Sequence, residues 1–173
     1  GQNPSQNLLF GWHGAHEVER KLLTLWNVYS FFVTYARIDN VNPLELEVQP
    51  GDRSLLDRWI LSRLNSLVRL ARERLDEYDV APVTRAVEEF IDDLSVWYVR
   101  RSRRRFWKPA SDTDKHAAYR TLYDCLTTLT RLLAPFMPFL TEELYQNLVR
   151  SIDPQAPESV HLVAYPEPDA ARI

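Results

Sequence analysis

The chain has 173 residues, about 45% of them hydrophobic, with 21 Lys+Arg against 24 Asp+Glu and a single cysteine. That length suits one domain, or one domain with a tail, and the apolar fraction is enough for a sizeable core. The near-neutral, slightly acidic balance excludes a wholly basic RNA-coating protein, the lone Cys125 excludes an internal disulfide and fits a reducing compartment, and no apolar run of about 18 residues offers a membrane span.

The elements follow in chain order. Residues 1–14 hold three of the 4 glycines and read as a lead-in. A first helix is predicted from about His16 to Arg37, with Leu22, Leu25, Trp26, Tyr29, Phe32, Val33 and Ala36 repeating at threes and fours. Asp39, Asn40, Asn42 and Pro43 end it, and a connector follows. Asp52 is the expected N-cap of a second helix running to about Leu75, with Leu56, Trp59, Ile60, Arg63, Leu64, Leu67, Leu70 and Ala71 inward and Asp57 on another face. Tyr78, Asp79 and Pro82 break the pattern before a third helix that reaches Phe106, whose core side is Val87, Phe90, Ile91, Leu94, Trp97 and Tyr98. A fourth helix covers Asp112 to Leu133, with Cys125 in its apolar stripe, read as a small buried hydrophobe. After a double-proline corner, Thr141 caps a fifth helix to about Arg150. Residues 151–173 form a proline-rich tail with one extended piece, Val160–Tyr165. The predicted fold is all-α: a five-helix antiparallel bundle over residues 15–150 with a short extended C-terminal tail.

Catalytic patterns are missing. His13, His16, His116 and His161 are scattered, there is no CxxC or HExxH, and no glycine-rich phosphate loop or GxSxG elbow occurs. Glu88–Glu89 and Asp92–Asp93 are adjacent carboxylates, expected on a solvated face or paired with arginine. No covalent chemistry is expected of this chain alone.

The strongest local signal is the run RRSRRRFWK, in which six of nine residues between Arg100 and Lys108 are basic and none is acidic. Taking those 6 from the 21 basic residues leaves 15 against 24 acids elsewhere, a positive spot on a negative body. Arginines beside Phe106 and Trp107 suit a single-stranded nucleic acid, charge meeting phosphate and rings meeting bases. The bland reading is a salt-bridged helix end. Counting threes and fours from Leu94 gives Trp97/Tyr98, then Arg101, then Arg105. Arg101 and Arg105 are therefore expected to point partly inward as structural ion pairs with carboxylates such as Asp92 and Asp93 or those of the fifth helix. Arg100, Arg103, Arg104, Lys108 and Trp107 are the candidates for RNA. On the first helix, Asn27 and Phe31 share a second face with Ser30 and Thr34; they suit a base edge and a stacked base, or a polar network and core.

Five stretches in order carry a resemblance: KLLTLWNVYSFFVTYA, LDRWILSRLNSLV, FIDDLSVWYVRRSRRRFW, APFMPFLTEELYQNL and SVHLVAYP. Together they resemble the anticodon-binding domain of class I aminoacyl-tRNA synthetases, nearest the isoleucyl type through DLSVWYVRRSRRRFW. The valyl type and a non-RNA helical interaction bundle are the alternatives. The resemblance implies a module that holds the anticodon arm of an isoleucine tRNA, with Asn27, Phe31 and the Arg100–Lys108 segment approaching the RNA. It also implies a cytoplasmic, monomeric parent with catalytic, editing and C-terminal domains that uses ATP with magnesium, and zinc. The HIGH and KMSKS motifs of that parent do not occur in this sequence, and no cofactor is expected in the fragment itself.

Overall fold

The computed structural model describes residues 11–109 and 111–172, so most of the lead-in lies outside the described residues. Five helices carry the core. Helix α1 spans Trp12–Ile38 and α2 spans Leu55–Asp76. Helix α3 is continuous but composite: an α-helical part Val80–Asp92, a π-helical stretch Asp93–Val99, and an α-helical end Arg100–Phe106. Helix α4 spans Thr113–Leu133, and α5 runs from Pro138–Tyr145 into a π-helical end, Gln146–Arg150. There is no strand among the described residues.

Side-chain contacts set the directions. Phe32 of α1 packs on Tyr119 and Tyr123 of α4, while Asp39 at the α1 end meets Lys115 at the α4 start, so these helices are antiparallel. Lys21 pairs with Asp92 and Phe31 meets Phe106, so α1 and α3 run parallel. The bundle is therefore up-down-up-down for α1–α4. Its core includes Leu25, Phe32, Ile60, Leu64, Val68, Phe90, Leu94, Leu122, Leu126 and Leu129, each contributing about 1.5–3 kcal/mol of burial. Cys125 is buried within it, as expected of a small hydrophobe.

Helix ends differ from expectation in instructive ways. The cap of α2 is Ser54, not Asp52, which closes a 3-10 turn of its own. Ser54 and Asp57 form a reciprocal capping box, with Asp57 N donating to Ser54 Oγ at 3.2 Å and Ser54 N donating to the Asp57 carboxylate at 2.8 Å. Helix α5 begins at Pro138, ahead of Thr141, whose hydroxyl instead donates back to the Met137 carbonyl at 2.9 Å. Helices α1 and α2 both end in left-handed residues, Asn40 (φ 51°) and Tyr78 (φ 57°). In each the next amide reaches back five residues: Val41 N to Ala36 O at 2.9 Å, and Asp79 N to Arg74 O at 2.8 Å.

The tail is docked. Val160–Leu162 makes a 3-10 turn where an extended piece was expected, and Val160 packs with Ala134 and Tyr145. The chain then runs back over the α2/α4 seam. Arg131 donates to Ala164 O at 2.9 Å, Tyr165 Oη to Leu132 O at 3.2 Å, Arg72 to Pro166 O at 3.1 Å, and Asp169 N to Asn65 Oδ1 at 2.7 Å.

Candidate nucleic-acid interface

The phase of α3 decides which basic residues are outside. An α-helix repeats near 3.6 residues, which would follow Leu94 with Arg101 and Arg105. The wider i→i+5 turns of the π-helical stretch set the helix back by about one residue. The buried positions after Leu94 are Tyr98 and Val99, then Ser102, then Phe106. Arg101 is consequently exposed, which corrects its expected structural role. Its guanidinium lies over the Trp97 ring at 4.5 Å from the centroid. Trp97, expected in the core, is 48% exposed for the same reason.

Arg105 does turn inward, but to other partners than expected. Its two terminal nitrogens each donate to the Asp57 carboxylate at 2.7 Å, and Nη2 also pairs with Asp114 at 2.8 Å. Asp57 is 0% exposed and receives further hydrogen bonds from Tyr98 Oη at 2.7 Å and Ser54 Oγ at 2.8 Å. Burial by itself would raise the Asp57 pKa. The hydrogen bonds from Arg105, Tyr98 and Ser54 and the guanidinium charge outweigh it and hold the carboxyl below its ordinary value. Burial and the neighbouring Asp57 push the Tyr98 phenol well up. Asp92 and Asp93 do form ion pairs, with Lys21 of α1 and with Arg63 of α2 at 2.9 Å. Sequence reasoning placed Asp57 on an outer face; the Ser-x-x-Asp capping spacing at Ser54–Asp57 was the available signal.

Lys108 was expected to face RNA. It is exposed, and its Nζ lies 2.9 Å from Asp114 and 3.5 Å from Asp112. Its carbonyl accepts from the buried Lys115 Nζ at 2.8 Å, which also reaches Asp39 at 2.7 Å. Hydrogen bonds from Lys115 and Tyr119 overcome the burial effect and depress the Asp39 carboxyl. This network ties the end of α1 to the loop that leaves α3.

What remains outside forms a surface shared by two helices. Arg100, Arg101, Arg103 and Arg104 are exposed and form no ion pair with a described carboxylate. Phe31 is half-buried, its ring 5.0 Å edge-on from Phe106 and 4.7 Å from Tyr35, with Arg103 at 6.0 Å over it. It is thus part core and part platform. Trp107 is 62% exposed, and its Nε1 donates to Tyr35 Oη at 3.0 Å. Asn27 is exposed one turn before Phe31 on α1. The structure therefore brings Phe31, Arg103 and Trp107 together through Phe106 and Tyr35, with Arg100 and Arg104 on the same helix end. Tyr35 was not singled out from sequence, because it sits on the edge of the α1 core stripe.

This helical end thus sets arginines without described carboxylate partners beside partly exposed rings, the combination of charge and π-faces that suits a polyanion with bases. Among the described residues no group of three His, Cys, Asp or Glu side chains comes together as a metal cluster, and no helix is long and apolar enough to cross a membrane.

Comparison with known proteins narrows the class. Residues 57–173, more than half of the chain, match the family described as the anticodon-binding domain of tRNA ligase, and the chain belongs to that family. It is 60% identical over 158 residues to an isoleucine–tRNA ligase of Dehalococcoides mccartyi, covering 91% of this chain and 16% of that protein. It is 49% identical over 170 residues to the isoleucine–tRNA ligase of Thermus thermophilus, covering 97% of this chain and 16% of that protein. With that of Methanothrix thermoacetophila it shares 45% over 164 residues, 94% of this chain and 16% of that protein. The chain thus spans about a sixth of the length of the curated relatives it matches.

Proposed function

We propose that this chain is the part of an isoleucine–tRNA ligase that grips the anticodon arm of its tRNA. The observation that carries the reading is the set of four exposed arginines, Arg100, Arg101, Arg103 and Arg104, on one helix end without carboxylate partners among the described residues, with Arg103 over Phe31 and the exposed Trp107 following them. Other arginines also lack a carboxylate partner, but these four are concentrated within five residues of one helix end, and a cluster of uncompensated charge of that kind attracts an external anion. The rings supply sequence-tolerant stacking, and Asn27 offers a donor and an acceptor to a base edge.

The isoleucyl rather than valyl assignment follows from the relatives above. A purely structural role for the arginine run does not suit the geometry, since among the described residues Arg105 alone of the six cations joins a buried pair and Lys108 joins an exposed one. The proposed parent attaches isoleucine to tRNA using ATP with magnesium, works as a cytoplasmic monomer, and holds its zinc and its catalytic, editing and C-terminal domains outside this chain. Here the domain's work is positional: holding one end of the tRNA orients the other.

The test is equilibrium binding of isoleucine tRNA by the 173-residue chain across a salt series. Four phosphate contacts imply a slope of log affinity against log salt of about −3. Arg103→Ala and Phe31→Ala should each weaken binding several-fold while leaving the unfolding midpoint of Arg103→Ala unchanged. Binding that is absent at low salt, or indifferent to salt, would overturn the reading.

A further inference from the structure

We propose that Trp97 and Arg101 form a second RNA contact on this domain, a fork that takes a backbone phosphodiester on the flank of α3 away from α1. The inference rests on the RNA-binding reading above and adds a site to it.

Arg101 and Arg103 leave α3 on nearly opposite sides, two residues and about 200° apart at roughly 100° per residue. Arg103 lies on the α1 side, over Phe31. Arg101 lies on the other side, stacked on Trp97 from one turn earlier. Arg100 and Arg104 fill the arc between them. An RNA engaging the Phe31–Trp107 platform would reach Arg101 only by passing over the end of α3, so the fourth arginine serves a different part of the RNA from the one at Phe31.

The stack also decides what Arg101 binds. The guanidinium covers a face of the indole, so that face is not offered to a base. A guanidinium lying over a ring is restrained by that contact, and its planar fork of N–H donors suits two parallel bonds to phosphate oxygens. No described carboxylate competes for it. Trp97 therefore acts as a positioning residue, fixing a long side chain that would otherwise lose rotamer freedom on binding. The π-helical stretch produces this arrangement: without its phase shift both Trp97 and Arg101 would face the core.

Three variants test the assignment against a tRNA anticodon stem-loop, with circular dichroism confirming an unchanged fold. Arg101→Gln should weaken binding several-fold and make the salt slope shallower by roughly 0.7–0.9, the share of one phosphate. Arg101→Lys keeps the charge and should keep the slope, yet bind several-fold more weakly because the planar fork is lost. Trp97→Leu should show the same pattern as Arg101→Lys. If Arg101→Gln leaves affinity and slope at wild-type values while Arg103→Ala lowers them, the second contact is refuted and the platform reading stands. If Arg101→Gln weakens binding with the slope intact, Arg101 reads a base and the phosphate assignment is wrong. If the unaltered chain binds no tRNA, the earlier reading falls instead.

Discussion

Asp57→Ala should be the most destabilising single change at the interface end of this bundle. The side chain is wholly buried and accepts from both terminal nitrogens of Arg105, from Tyr98 and from Ser54. Removing it strands a guanidinium that is only 12% exposed. Breaking a buried pair by deleting one partner costs about 3–5 kcal/mol, and loss of the capping box adds about 1 kcal/mol. Two contacts soften the loss: Arg105 keeps Asp114 at 2.8 Å, and Tyr98 keeps the Ala118 carbonyl at 3.3 Å. The net expectation is about 3–4 kcal/mol, or a melting point lower by roughly 6–16 °C for a domain of this size. Urea unfolding followed by circular dichroism measures it. Asp57→Asn, which keeps shape and one acceptor but not charge, should fall between. A double-mutant cycle with Arg105→Met then isolates the pair, since an apolar residue of similar length no longer needs the carboxylate. A loss under about 1 kcal/mol for Asp57→Ala, or energies in the cycle that simply add, would show that Asp57 and Arg105 are not coupled.

Two further expectations concern stability. Tyr78 holds a left-handed conformation at the end of α2 and is 87% exposed, so its ring contributes little packing. Tyr78→Gly should raise stability by about 1 kcal/mol, and a melting point that falls would count against the strain. Asp39, Asp57 and Asp114 all have folded pKa values below the ordinary carboxylate. Groups depressed in this way stabilise the fold above the unfolded value of about 4, and the contribution disappears as pH falls through the folded values. Asp124, raised by burial, acts in the opposite sense but is a single group. The melting point should therefore decline on acidification below about pH 4, with Asp57→Asn flattening that limb; an acid-insensitive wild type would contradict the assignment.

Much of the helical architecture was legible in the chain because it rests on local rules. Apolar residues at threes and fours, Asn and Pro at the breaks and the double-proline corner delimit five helices whatever they pack against. The basic run and its neighbouring rings were visible for the same reason, as composition. Which cations face outward was not, because a count by 3.6 assumes an unbroken α-helix. The π-helical turns of Asp93–Val99 exchange Arg101 for Ser102 and Trp97 for Val99 at the core, and no local preference in DLSVWYV announces them. The ion pairs were likewise beyond reach: Asp57 finds Arg105 and Tyr98, and Lys115 finds Asp39, only once helices distant in sequence lie side by side. From residue order alone one reads an acidic helical chain with a concentrated positive, aromatic end. Packing set Arg105 and Lys108 against buried or neighbouring acids and left Arg100, Arg101, Arg103 and Arg104 without a carboxylate partner among the described residues, because pairing depends on distance through space and not along the chain.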